Sequence, residues 1–65
     1  MISISLNGVG RETNSATIAE LIAELGFVKG TVLVELNGTA LRHDEWTRAL
    51  SDGDALELLR IVAGG

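Results

Sequence analysis

Thr17-Ile18-Ala19-Glu20-Leu21-Ile22-Ala23-Glu24-Leu25-Gly26 is the stretch that decides the fold of this 65-residue chain. Ile18, Leu21, Ile22 and Leu25 fall at i, i+3, i+4 and i+7, which stacks them into one apolar stripe on a helix, with Glu20 and Glu24 off it. Thr17 followed three residues later by Glu20 reads as a capping box, and Gly26 supplies a left-handed stop. The spacing therefore predicts a helix over about Ile18–Leu25. A helix of two turns does not persist alone, and its single stripe needs a sheet to lie on.

The flanking segments supply that sheet. Before the helix, Met1 to Leu6 alternates, with Ile2, Ile4 and Leu6 on one side and Ser3 and Ser5 on the other, the pattern of a half-buried strand. Asn7-Gly8 then provides the positive φ angles of a two-residue hairpin turn, and Val9 to Thr13 returns antiparallel. Gly10, Arg11 and Glu12 suit an edge position, where charge discourages pairing with another chain. After the helix, Thr31 to Leu36 presents Val32, Val34 and Leu36 inward and Leu33 and Glu35 outward. Asn37-Gly38 predicts a second tight return, through Thr39-Ala40-Leu41.

Between His43 and Leu50 there is no long stripe; Asp44-Glu45-Trp46 reads as a helical turn that lets Trp46 and Leu50 cap the core from one end. Asp52-Gly53-Asp54 is a turn, and Ala55 to Val62 is the last strand, with Leu56 and Leu58 inward and Glu57, Leu59 and Ile61 outward. This order gives an α+β architecture, a mixed four- to five-stranded sheet with one main helix packed across one face. Its first and last strands are expected as a parallel central pair joined by a right-handed crossover. Residues 1–65 read as a single domain, with 63–65 as a flexible C-terminal tail and no repeat or linker.

Composition narrows the function. The chain is 46% hydrophobic, and one of this size buries only roughly 60% of the surface its unfolded form exposes, which leaves little for a deep catalytic cleft. With no cysteine there are no disulfides, thiolate metal sites or thiol nucleophile. A net charge of −4 opposes a phosphate backbone, so neither nucleic acid nor an anionic membrane is expected as partner. Mean hydropathy is positive, yet Val32-Leu33-Val34 and Ile61-Val62-Ala63 are far too short to span a bilayer. The opening Met1-Ile2-Ser3-Ile4 lacks the basic and long apolar regions of a secretory signal, and a soluble cytoplasmic protein is the expectation.

No internal catalytic set survives inspection. His43 stands beside Asp44, but adjacent residues on a helical turn do not face each other, so a solvated turn histidine accounts for it better. His43, Asp44 and Glu45 cannot easily converge on one metal ion, and no metal site is expected. Gly8-Val9-Gly10 belongs to a hairpin, Gly64-Gly65 has no following helix or lysine, and Asp52-Gly53-Asp54 lacks the distant glutamate of a calcium loop. Trp46 is read as core bulk in a chain with one Trp and one Phe.

Two features exceed what a small core requires. Alternation puts Leu33, Leu59 and Ile61 on the sheet face away from the helix, flanked by Glu35 and Glu57, which suggests a partner-binding patch. The Gly64-Gly65 end, reached through Ala63, carries no β-carbons and would let a terminal carboxylate on a thin tail enter a narrow channel of another protein.

The whole pattern resembles the ubiquitin-like β-grasp sulfur carriers, and within them the ThiS family of thiamin biosynthesis. The resemblance spans the chain. It rests on Ile4-Ser5-Leu6-Asn7-Gly8, Thr17-Ile18-Ala19-Glu20-Leu21, Leu25-Gly26, Val34-Glu35-Leu36-Asn37-Gly38, Trp46, Leu50-Ser51-Asp52-Gly53-Asp54, Leu56-Glu57-Leu58-Leu59-Arg60 and Val62-Ala63-Gly64-Gly65. What it implies is a substrate rather than an enzyme. A ThiF-like adenylating partner would activate the Gly65 carboxylate with MgATP, sulfur from a persulfide would replace the adenylate, and the thiocarboxylate would serve a ThiG-like thiazole synthase. On this reading Gly64 and Ala63 give access, the protein binds no cofactor itself, and it is monomeric when free. ThiS relatives often carry a proline near Leu41-Arg42 that is absent here. The related MoaD subunit of molybdopterin synthase usually has prolines just before its Gly-Gly end; Arg60-Ile61-Val62-Ala63 has none, which favours ThiS. The remaining alternatives are a MoaD-like carrier, a modifier conjugated through Gly65, and a binding module that uses the Leu33 face alone.

Overall fold

The computed structural model describes residues 1–61. Strands β1 (Ile2–Leu6), β2 (Val9–Thr13), β3 (Val32–Leu36), β4 (Thr39–Leu41) and β5 (Ala55–Arg60) form one five-stranded sheet in the order β2-β1-β5-β3-β4. β1 and β5 are parallel at the centre, as expected, and every other pairing is antiparallel. The polar strand β2 takes one edge and the short β4 the other.

Helix α1 (Ile18–Glu24) crosses one face. At its start Thr17 Oγ1 accepts the Glu20 N–H at 3.2 Å, the expected cap. The reciprocal half of the box differs: the Glu20 carboxylate accepts the Thr17 hydroxyl, and the next two free donors go elsewhere. Ile18 N–H bonds the Arg48 carbonyl at 3.1 Å and Ala19 N–H the Trp46 carbonyl at 2.8 Å. The segment after β4 therefore acts as a lid on the helix N-terminus, which satisfies donors that a helix leaves open. At the other end Gly26 adopts φ +85, its N–H bonds Ala23 O at 3.0 Å, and Phe27 N–H bonds Ile22 O at 3.2 Å. These two bonds make a Schellman stop, which ends the helix one residue before the expected Leu25.

The core consists of Ile18, Leu21 and Ile22 from α1 against Ile4, Val32, Val34, Leu36, Leu41, Leu56 and Leu58 from the sheet, closed by Trp46 and Leu50. Ile2 and Leu6 pack against the core as their alternation predicts but are only half-buried. The expected helical turn is a one-turn 3-10 helix at His43–Glu45, and Trp46 follows it into the core. β3 begins at Val32 rather than Thr31, and β5 runs to Arg60; Val62 lies outside the described residues. Asn7 (φ 50) with Gly8 (φ 83) and Asn37 (φ 51) with Gly38 (φ 86) have the positive angles that tight hairpins require.

Candidate functional site

The register of β5, the last described strand, with β3 builds the candidate surface. Leu33 pairs with Leu59 and Glu35 with Glu57, two successive outward-facing rungs of one ladder. Ile61 follows, and its N–H donates to Thr31 O at 2.9 Å, which keeps the chain paired one residue beyond the strand. Leu33 and Leu59 are each 53% exposed and Ile61 44%. The three apolar residues predicted from alternation therefore share one end of the outer face, beside the end of β5.

The rest of that face is small or acidic. Ser5 pairs with Ala55 and Gly10, Ser3 with Glu12, and Ala40 with Glu35. No Lys or Arg of the described strands shares it, since Arg11 pairs with Ile4 and Arg60 with Val32, positions of the helix-covered face. Glu35 and Glu57 are like charges set directly opposite each other, an arrangement that costs stability in an isolated sheet. A flat apolar end beside an unneutralised acidic pair fits a partner surface with an apolar centre and basic groups at its border.

The exit of β5 is braced from the helix side. The Arg60 guanidinium sits 5.5 Å from the centre of the Phe27 ring, a cation–π contact of about 0.5–1 kcal/mol at exposed sites. Thr31, which receives Ile61, donates its own hydroxyl to the Val28 carbonyl at 2.6 Å. The loop after α1 thus braces the end of β5.

The discarded catalytic candidates are accounted for locally. His43 is exposed and packs edge-on against Trp46, with ring centres 4.7 Å apart. Asp44 pairs with Arg42 at 3.1 Å rather than with His43, and that guanidinium holds the Asp44 carboxyl below its ordinary range. Asp52 Oδ1 accepts the Ser3 N–H at 2.8 Å and Asp54 Oδ2 the Ser51 N–H at 2.8 Å, so this turn is tied into the fold. Among the described residues there is no cavity and no group of three or more His, Asp or Glu side chains arranged for a metal ion. No described helix is long and apolar enough to cross a membrane. The tail candidates Ala63, Gly64 and Gly65 lie outside the described residues.

Two polar clusters escaped sequence reading. Glu24 gathers Arg11 at 2.7 Å, Thr13 Oγ1 at 2.8 Å and Ser15 Oγ at 2.8 Å, which ties the edge strand and the following loop to the helix. Hydrogen bonds from Arg11, Ser15 and Thr13, with the Arg11 charge, lower the Glu24 carboxyl from 4.5 to about 2. The second cluster joins Asn7 to Leu58 across β1 and β5. Both depend on contacts between distant segments, which no local pattern announces.

A model of the ThiS family matches residues 4–65 of the chain. Among solved structures, the crystal structure of the thiamine biosynthesis protein (ThiS) from Geobacter metallireducens is similar with a TM-score of 0.80 and 30% identity, over 98% of this chain and 100% of that one. A solution NMR structure of a thiamine biosynthesis protein from Geobacter metallireducens gives 0.79 and 30%, over 98% of this chain and 88% of that one. A search of curated proteins finds no match.

Proposed function

This chain belongs to the ThiS family, and from that premise we propose that it is a sulfur carrier of thiamine biosynthesis, a protein acted on by enzymes rather than an enzyme itself. The observation that carries the reading is the family match over nearly the whole chain.

The proposed reactive group is the carboxylate of Gly65, with Gly64 and Ala63 as the slender approach to it. A carboxylate is a poor acyl donor because its oxygens are poor leaving groups. A ThiF-like partner supplies MgATP; attack of the carboxylate on the α-phosphorus expels pyrophosphate and leaves an acyl adenylate. The terminal sulfur of a persulfide then displaces AMP at the acyl carbon to give an acyl disulfide. A thiol reductant cleaves its S–S bond and is itself oxidised to a disulfide, and the released thiocarboxylate passes to a ThiG-like thiazole synthase. Small residues next to the acyl carbon leave the line of approach open, which matters because reacting atoms must come within about 3–3.5 Å in aligned geometry.

The carrier's own contribution is recognition. Leu33, Leu59 and Ile61 form the apolar centre of the contact with the adenylating enzyme, and Glu35 and Glu57 pair with basic groups at its border. Nucleotide and magnesium are bound by the partner, in the cytoplasm. Adding one residue after Gly65 tests the assignment of the reactive end. The extended protein is expected to bind the adenylating enzyme and to remain unactivated; activation at the ordinary rate would overturn the assignment.

A further inference from the structure

The two Asn-Gly turns do more than reverse the chain. Asn7 Oδ1 accepts the Leu58 N–H at 2.7 Å, and Asn7 Nδ2 donates to the Leu58 carbonyl at 3.3 Å. The side-chain amide thus stands in for a peptide group where β1 ends, and extends the parallel ladder along β5. On the opposite flank Asn37 Oδ1 accepts the Ala55 N–H at 2.8 Å, and Asn37 Nδ2 donates to Asp54 Oδ1 at 3.1 Å. β5 is held on both sides by the side-chain amides of turn residues.

An asparagine that precedes glycine is chemically vulnerable, because the glycine nitrogen has no neighbouring side chain to obstruct its approach to the amide carbon. The space around Gly8 and Gly38 is open in this structure. We propose that Asn7 is a latent deamidation site, closed while β5 lies in the sheet and open when β5 leaves it, and that conversion prevents β5 from settling back. The Gly8 backbone nitrogen forms a bond to Asn7 Cγ, the bond from Cγ to the amide nitrogen breaks, and ammonia departs with the Gly8 proton. Water then opens the cyclic imide at either carbonyl and gives aspartate or its isoaspartyl isomer; no oxidant or reductant is needed.

Closure is a matter of geometry. For Cγ to turn toward the Gly8 nitrogen, both bonds to Leu58 must break, and these are partly buried contacts in the middle of β5. After conversion, a carboxylate oxygen replaces Nδ2 and faces the Leu58 carbonyl, acceptor against acceptor with a negative charge added. The isoaspartyl product also lengthens the backbone at the turn and shifts the register. Either product loosens the strand that carries Leu59 and Ile61. Asn37 serves as an internal comparison, since its contacts are exposed and lie at the start of β5, where fraying suffices to release it.

The test is peptide mapping by mass spectrometry of the full chain during incubation at mildly alkaline pH, folded and in urea. In urea Asn7 and Asn37 are expected to convert at similar rates. In the folded protein Asn7 is expected to convert at least about tenfold more slowly than in urea, as an opening free energy above about 1.4 kcal/mol produces, and more slowly than Asn37. The converted fraction, separated by charge and returned to native buffer, is expected to exchange its Leu58 amide hydrogen faster than unconverted protein. Equal Asn7 rates in the folded and denatured states, or unchanged Leu58 exchange after conversion, would overturn the proposal.

Discussion

Leu33 and Leu59 stand directly opposite each other across the β3–β5 ladder, on the sheet face that the helix does not cover. The core does not need them, since Val32, Val34, Leu56 and Leu58 already fill the helix-facing side of the same strands. Under the proposed function this exposed apolar rung is the centre of the contact with the adenylating enzyme.

Leu59→Asp is therefore expected to leave the fold intact and to weaken binding to the adenylating enzyme. The substitution removes one exposed cross-strand pair, a loss of about 0.2–1 kcal/mol of stability. A contact at the centre of an interface is worth more, so binding should fall at least about tenfold. Circular dichroism and a binding titration check both halves; an unfolded variant would refute the outward orientation of Leu59.

Glu57→Gln separates stability from recognition. Relief of the repulsion from Glu35 is expected to raise the unfolding free energy by up to about 1 kcal/mol at low salt, and the gain should shrink as salt screens the pair. The same change should slow association with a basic partner surface. A variant that is more stable and binds equally fast would remove the acidic pair from the interface.

Glu24 makes the fold sensitive to acid. Its carboxyl titrates lower in the folded state, about 2 against an ordinary 4.5, because Arg11, Ser15 and Thr13 hydrogen-bond the charged form. The unfolded chain binds the proton first on acidification, so the contribution of Glu24 is full above about 4.5 and is lost as pH falls toward about 2. Thermal melts over that window should show a steeper fall for the natural protein than for Glu24→Gln; equal slopes would contradict the clamp.

Much of this architecture was legible because its signals are local. The stripe Ile18, Leu21, Ile22, the Gly26 stop and the two Asn-Gly pairs each act within a few residues, and alternation in Val32–Leu36 and Ala55–Arg60 separated core from outer face. Adjacency was harder. That Leu33 meets Leu59 and Glu35 meets Glu57 depends on the register of strands more than twenty residues apart, which only the sheet fixes. Thr13 is 3% exposed and read as part of a polar edge strand, since nothing near it reveals that Glu24 folds over to accept its hydroxyl. Asn7 was legible as a turn residue, but its hold on Leu58 depends on the parallel pairing of the chain's first and last strands.

The central claim is that the chemistry happens at the terminal carboxylate of Gly65. The most direct test is the intact mass of the protein after incubation with a ThiF-type adenylating enzyme, ATP, a persulfide sulfur donor and a thiol reductant. Exchange of one carboxylate oxygen for sulfur, dependent on ATP, is the predicted result. A mass that stays unchanged while the enzyme activates a known ThiS carrier in the same mixture would contradict it.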